Sequence, residues 1–146
     1  FIYVDVTFPF CSCRLVSCFD KEASIWAGFA AAFGHCYPIF AGFRGGKAVA
    51  TMFGFLLSTS IFTFQSAWYL IVPFAGFLVV LYAGKMVSLA SMCAALTSSI
   101  YITVMQLSIS LEIVVASWLL TILVIYRHRA NIVKIKNGTE NKISWL

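Results

Sequence analysis

Six apolar stretches occupy most of this chain, and short polar breaks separate them. They cover residues 1–18, 24–41, 48–60, 62–83, 87–106 and 110–126. Of the 146 residues, 62% are hydrophobic and only 10% are charged, whereas a soluble domain has about 45–50% apolar and about 25% charged residues. Because about 20 apolar residues cross a bilayer as a helix, the pattern predicts an all-α, polytopic transmembrane bundle with about six membrane elements.

The basic residues predict how this bundle is oriented. The membrane side with the excess of Lys and Arg is normally cytoplasmic. With the basic tail 127–146 inside, counting back through the apolar elements puts eight of the ten basic residues on that side: Arg44, Lys47, Lys85, Arg127, Arg129, Lys134, Lys136 and Lys142. We therefore expect one integral-membrane domain over 1–146 with a basic cytoplasmic tail, and no nucleic-acid partner.

The break at 42–47 brings glycine and cations together beside apolar sequence. It reads Gly-Phe-Arg-Gly-Gly-Lys, and cations near lipid usually have a function because burying them is costly. The backbone N–H groups of Gly45 and Gly46, with Arg44 and Lys47, would form a cradle for an anion such as phosphate. An interfacial turn whose cations reach back to water explains the same residues equally well.

Further polar groups are predicted on the same membrane side. Ser88 and Ser91 share a helix face at the start of the fifth stretch, and His128 and Asn131 are three residues apart after the sixth. His35 ends the second stretch. These side chains would donate hydrogen bonds to a substrate or exchange protons with it. Helix capping, helix packing and contact with lipid head groups are the alternatives.

The spacing of residues argues against two familiar kinds of site. A phosphate-binding Walker loop needs Gly where this chain has Ala41 and Ser or Thr where it has Ala48. The cysteines have no paired spacing, and His35 beside Cys36 lacks a further ligand pair, so we expect no metal site.

Taken together, the polar groups resemble the motifs of the PlsY family of bacterial acyl-phosphate:glycerol-3-phosphate acyltransferases. The resemblance covers roughly residues 24–146, and it is carried by the segments 34–51, 87–91, 126–132 and 138–142. It implies a seven-span bundle in the bacterial cell membrane with its motifs and C-terminus at the cytoplasmic face. The family's first span is missing from this chain.

The resemblance also implies an activity. Family members transfer a fatty acyl group from acyl phosphate to the first hydroxyl of glycerol 3-phosphate, giving lysophosphatidic acid and phosphate in the first step of bacterial phospholipid synthesis. The expected partners are these two substrates, membrane lipid and an upstream enzyme that forms acyl phosphate. The resemblance implies no cofactor.

By the same resemblance, individual residues receive roles. Catalysis is expected of Lys47, Ser88 and His128. Binding of substrate or phosphate is expected of Arg44, Gly45, Gly46, Lys47, Ser88, Asn131 and His35. Acyl phosphate is already activated, so orientation and charge stabilisation can drive the reaction without a protein nucleophile.

The chain departs from the family pattern in three ways, one of which is that residues 1–18 match it poorly, with Thr7 and Phe8 in place of a usual Lys-Gly pair. The family's first span and its Ser-Gly-Asn loop are not in this sequence, so we expect an N-terminally truncated chain that is inactive alone. Ala48 replaces a usual Gly. Two alternatives stay open: a small transporter or channel for a phosphorylated or anionic solute, and a lipid-binding subunit that uses only the basic tail.

Overall fold

A computed structural model of the chain describes residues 11, 21–37, 47–107 and 109–143. This part of the chain is helical and contains α1 (Lys21–Cys36), α2 (Val49–Ser58), α3 (Trp68–Gly84), α4 (Val87–Gln106), α5 (Leu111–Arg127) and α6 (Arg129–Lys136). One π-helical turn, Thr59–Thr63, continues α2. The prediction of an all-α fold is confirmed. The predicted first stretch, 1–18, lies outside the described residues except for Cys11.

Only some of these helices are long enough to cross a membrane alone. By length and composition α4 qualifies, and α5 with α6 qualifies as well if this pair, bent by 56°, counts as one broken span. The helix over Val49–Thr63 and α3 are apolar but shorter. The apolar pattern predicts about six membrane elements, because it counts hydrophobic residues whether or not their backbone forms one continuous helix.

Helix α4 lies between α3 and α5, while α1 packs against α5 and α2 against α1 and α3. Alanines fill many of the most buried positions of these contacts, and six of them are 0–1% exposed: Ala32, Ala48, Ala90, Ala94, Ala95 and Ala116. Small residues let helix backbones approach closely where lipid supplies no hydrophobic force between helices. As a result, the start of α4 and the end of α5 come to the same end of the bundle.

Buried hydroxyl groups fix the register of α4 against α5. Ser99 Oγ donates to the carbonyl of Ser117 at 2.9 Å. Thr121 Oγ1 donates to the carbonyl of Ala95, also at 2.9 Å. Interhelical bonds of this kind contribute about 0.6 kcal/mol each in membrane proteins. These bonds fix the axial position of α4 relative to α5, and this register places Ser91 beside His128.

The predicted element boundaries are confirmed for some helices and wrong for others. The stretch 87–106 matches α4 at both ends, and 110–126 matches α5 within one residue. The predicted start at 62 is wrong, because α3 begins at Trp68. Apolar residues before it belong to the π turn and to a break at Gln65, where φ is 50°. Hydropathy does not distinguish these conformations from a continuous helix.

Candidate active site

A cavity of about 450 Å³ lies where α2 begins, α4 begins and α5 ends. Polar side chains from these helix ends, from α6 and from the segment after it line the cavity. They include Lys47, Ser88, Ser91, His128, Asn131 and Glu140. Segments distant in the sequence therefore meet in one pocket.

Glu140 links two of the polar side chains. Its Oε1 accepts a hydrogen bond from Ser88 Oγ at 2.6 Å and a second from Asn131 Nδ2 at 2.7 Å. The bond from Ser88, more than the other contacts, holds the pKa of this carboxyl below its usual range. Glu140 is thus an ionised acceptor that sets the distance between the serine on α4 and the asparagine on α6.

The segment around Glu140 is also held by its backbone. The N–H of Ile143 donates to the carbonyl of Lys85 at 2.8 Å, which ties this segment to the turn before α4. Gly138 has a φ of 69° and turns the chain back from α6 toward the cavity. A residue with a Cβ adopts that angle only with strain. These contacts hold residues 138–143 against the site as a strap, of which residues 140–143 line the cavity.

His128 lies at the junction between α5 and α6 and is buried. Its Nδ1 is 2.8 Å from the carbonyl oxygen of Val124, and its Nε2 is 3.2 Å from Ser91 Oγ. Burial lowers the pKa of His128, and the bond to the Val124 carbonyl partly opposes this effect. The imidazole is therefore neutral near pH 7 and can either accept or donate a proton.

Lysines give the cavity its positive character. Lys47 lies directly before α2, and Lys134 and Lys142 also line the cavity. Ala48, which follows Lys47, has a φ of 58° and is buried. The left-handed conformation costs a residue with a Cβ about 1–2 kcal/mol, and a glycine would adopt it without this cost. The turn at Ala48 connects the lysine to the start of α2.

Five of the residues singled out in the sequence meet in this cavity: Lys47, Ser88, Ser91, His128 and Asn131. Arg44, Gly45 and Gly46 lie outside the described residues. His35 lies in the last turn of α1, is partly exposed and is not among the residues that line the cavity.

Sequence reasoning gave Glu140, Lys134 and Lys142 no role in the site, and it considered Ser91 only as a hydrogen-bond donor to substrate beside Ser88. One signal for Glu140 was present, because it is the acidic residue beside the inner basic clusters. Ser91 had the helical spacing from Ser88, but the spacing did not reveal that it faces His128 across two helices. Helix α6 was likewise not predicted, because its sequence is basic as well as apolar.

The arrangement is suited to holding an anion that has several oxygen atoms. Cationic side chains supply charge, and Asn131 Nδ2 has a second N–H besides the one that it donates to Glu140. His128 supplies a ring whose Nδ1 faces the Val124 carbonyl and whose Nε2 can accept a proton.

Comparison with known proteins assigns the chain to a family. A family model described as "Glycerol-3-phosphate acyltransferase" matches residues 3–138. The chain belongs to this family. Among individual relatives, the glycerol-3-phosphate acyltransferase of Geobacillus kaustophilus is 46% identical over 119 residues, and that of Bacillus subtilis is 47% identical over 120 residues.

The two alignments each cover 82% of this chain, but 56% and 58% of the respective relatives. The chain therefore spans less than two thirds of the length of these proteins. The resemblance to the PlsY family in the sequence motifs is confirmed.

Solved structures agree with the family assignment. The crystal structure of PlsY (YgiH), described as an integral membrane glycerol 3-phosphate acyltransferase in its glycerol 3-phosphate form, matches with a TM-score of 0.85 and 28% identity. The match covers 98% of this chain and 69% of that one. The lysophosphatidic acid form of the same protein matches with a TM-score of 0.83 and 27% identity. The helical bundle described above is thus the fold of an integral membrane protein.

Proposed function

We propose that the full-length protein transfers a fatty acyl group from acyl phosphate to the first hydroxyl of glycerol 3-phosphate. The observation that supports this most is the meeting of Lys47, Ser88, His128 and Asn131 in one cavity. Membership of the glycerol-3-phosphate acyltransferase family supports it independently. The products would be lysophosphatidic acid and inorganic phosphate, which makes the reaction an entry step of phospholipid synthesis.

Phosphate binding in this proposal depends on the residues at the start of α2. Lys47 neutralises phosphoryl charge, assisted by Arg44 and by the backbone N–H groups of Gly45 and Gly46. Ser88, at the start of α4, donates its single hydroxyl hydrogen to Glu140 in this structure, and with substrate bound it would redirect that hydrogen to a phosphoryl oxygen or to the acyl carbonyl. Charge stabilisation of this kind, aimed at the atoms where charge develops, is commonly the largest contribution to catalysis.

Asn131 and His128 position glycerol 3-phosphate in the same proposal. The substrate hydroxyl oxygen attacks the acyl carbonyl carbon, a new ester C–O bond forms, and the C–O bond to phosphate breaks. The hydroxyl proton passes to a phosphate oxygen or to Nε2 of His128, which is unprotonated in the neutral ring. Because phosphate is a good leaving group, holding the two substrates in line supplies much of the acceleration.

The proposed site lies at the cytoplasmic face of the bacterial cell membrane. The support is the positive-inside bias of the basic residues, which the cavity shares through Lys47, Lys134 and Lys142. The water-soluble substrate would enter from the cytoplasm and the acyl donor from the lipid. An enzyme that forms acyl phosphate would supply the donor.

A transporter or channel for an anionic solute is the competing proposal. It would need charged groups for the anion along a path through the membrane. In the described helices α3, α4 and α5, the charged residues are confined to the ends: Glu112 at the start of α5 and Arg127 at its last residue. This distribution favours a site at one membrane face.

The direct test is reconstitution of the full-length protein in lipid vesicles with acyl phosphate and glycerol 3-phosphate. We expect phosphate release that depends on both substrates, with one lysophosphatidic acid formed per phosphate released. Release without glycerol 3-phosphate, or uptake of glycerol 3-phosphate into the vesicles without acyl transfer, would contradict the proposal. Vesicles without protein give the background hydrolysis of acyl phosphate.

A further inference from the structure

Both ring nitrogens of His128 have partners inside the protein. The oxygen of Val124 lies 2.8 Å from Nδ1, and a carbonyl only accepts, so Nδ1 carries a hydrogen. Nε2 faces Ser91 Oγ at 3.2 Å. The histidine is 1% exposed and Ser91 is 0% exposed. Water therefore does not replace a lost partner of Nε2 easily.

The hydroxyl of Ser91 has one hydrogen and two neighbouring acceptors. Its Oγ is 3.0 Å from the carbonyl oxygen of Ser88, one turn earlier in α4. When His128 is protonated, Nε2–H donates to Ser91 Oγ, and Ser91 donates to the Ser88 carbonyl, so all three groups are satisfied. When the ring is neutral, Ser91 can donate its single hydroxyl hydrogen either to Nε2 or to that carbonyl, and the other acceptor is left without a hydrogen bond. The Ser91 hydroxyl therefore stabilises the imidazolium more than the neutral ring, which opposes part of the effect of burial on the pKa of His128.

We propose that Ser91 is a positioning residue for His128, which keeps Nε2 directed along α4 toward the cavity and supports the protonated ring during the reaction. The inference deepens the proposed function, on which it rests for the role of His128. Hydrogen bonds to charged groups are stronger than those between neutral groups, so the hydroxyl stabilises the imidazolium more than the imidazole.

Charged groups from the neighbouring elements act on the same ring. Lys47, before α2, disfavours the imidazolium, and Glu140, in the strap, favours it. Lys134 of α6 lines the same cavity. The guanidinium of Arg127 lies over the ring of Tyr37, 5.2 Å from its centroid. These charges are held by other segments, so a substitution at Ser91 tests the hydroxyl and leaves the charges in place.

The experiment compares Ser91→Ala with Ser98→Ala in the full-length protein. Ser98 is a matched control because it is buried on the same helix and its Oγ donates to the carbonyl three residues earlier, at 2.7 Å. Two measurements are made: the pH dependence of kcat/KM, and the pH titration of the ¹⁵N signals of His128. The chain has two histidines, so the spectrum of His128→Asn assigns the signals.

In Ser91→Ala we expect the pKa of His128, and the limb of the pH–rate profile that reports it, to move down by about 0.5–1 unit. The direction follows from the lost acceptor, because the imidazolium loses more stabilisation than the neutral ring. Ser98→Ala is expected to shift neither measurement. Should Ser91→Ala not fold, Ser91→Cys carries the test, with a smaller shift in the same direction because a thiol is a weaker hydrogen-bonding group.

If the pKa of His128 were the same in Ser91→Ala and Ser98→Ala, the inference would be overturned. Mass-spectrometric detection of an acyl group on Ser91 would also overturn it, since the serine would then be a nucleophile. The titration needs no turnover, so it is separate from the proposed function. A full-length protein that lacks acyl transfer but whose His128 responds to Ser91 would refute the function and leave the Ser91–His128 contact established.

Discussion

Replacement of Lys47 by alanine in the full-length protein is expected to lower kcat/KM for acyl transfer by about 100- to 1,000-fold, the usual effect of removing one group that stabilises developing charge. Lys47 lies two residues before the first residue of α2 and lines the cavity together with Glu140 and His128. The phosphate that leaves acyl phosphate gains negative charge as the bond breaks, and the lysine neutralises it. Lys47→Arg is expected to recover part of the activity.

The matched control for Lys47 is Lys136→Ala. Lys136 is an exposed lysine in the last turn of α6 and is not among the residues that line the cavity. Its loss also lowers the net positive charge by one, so it measures the general effect of charge at this membrane face. We expect a change of less than about threefold, as for an exposed charge that is screened by salt. Equal losses in the two variants would show that Lys47 acts only through general charge.

Replacement of Glu140 by alanine is expected to lower kcat/KM by about 100-fold, because two hydrogen bonds to a charged group are lost together. Ser88 and Asn131 then lose their common acceptor, and the strap 138–143 loses its side-chain link to α4 and α6 while the backbone bond from Ile143 to Lys85 remains. In Glu140→Gln the side-chain oxygen still accepts from both donors. We expect this variant to retain about tenfold more activity than Glu140→Ala.

The pH dependence of the Glu140 contacts has a defined sign. The pKa of this carboxyl is lowered by the bond from Ser88, so the contacts are complete above the pKa of the unfolded chain. They are lost as the pH falls through the lower folded pKa. In Glu140→Gln this acid-side loss of activity should disappear.

Glu112→Gln is the matched control for Glu140→Gln. Glu112, at the start of α5, accepts a bond from Trp26 Nε1 at 3.2 Å, at the opposite end of that helix from His128. We expect the control to leave kcat/KM within about twofold, as for most substitutions outside the site. If Glu140→Ala behaved like this control, the strap would have no part in the site.

Local sequence patterns predicted the elements that have one regular conformation. Helix α4 combines an apolar stretch of 20 residues with polar breaks at both ends, and its bounds were predicted as observed. The start of α3 was not predicted, because Ile61 and Phe62 look like part of a span although the backbone forms a π turn there. Here the conformation depends on tertiary packing, which overrides the local pattern.

The candidate site was likewise predicted only in part. Lys47, Ser88, His128 and Asn131 interrupt apolar sequence, and the orientation count placed them at one membrane face. The contact between Ser91 and His128 depends on the register of α4 against α5, which buried hydroxyl bonds set. The strap depends on a left-handed glycine and on a backbone bond to the turn before α4. Spacing along the chain does not report such contacts.

The most direct test of this account is a structure of the full-length protein with glycerol 3-phosphate bound. The account predicts the phosphate group in the cavity between α2, α4 and α5, with Lys47 within contact distance of a phosphoryl oxygen and Asn131 or His128 within hydrogen-bonding distance of the substrate. A substrate bound at another face of the bundle, with these side chains directed separately into lipid or water, would contradict it.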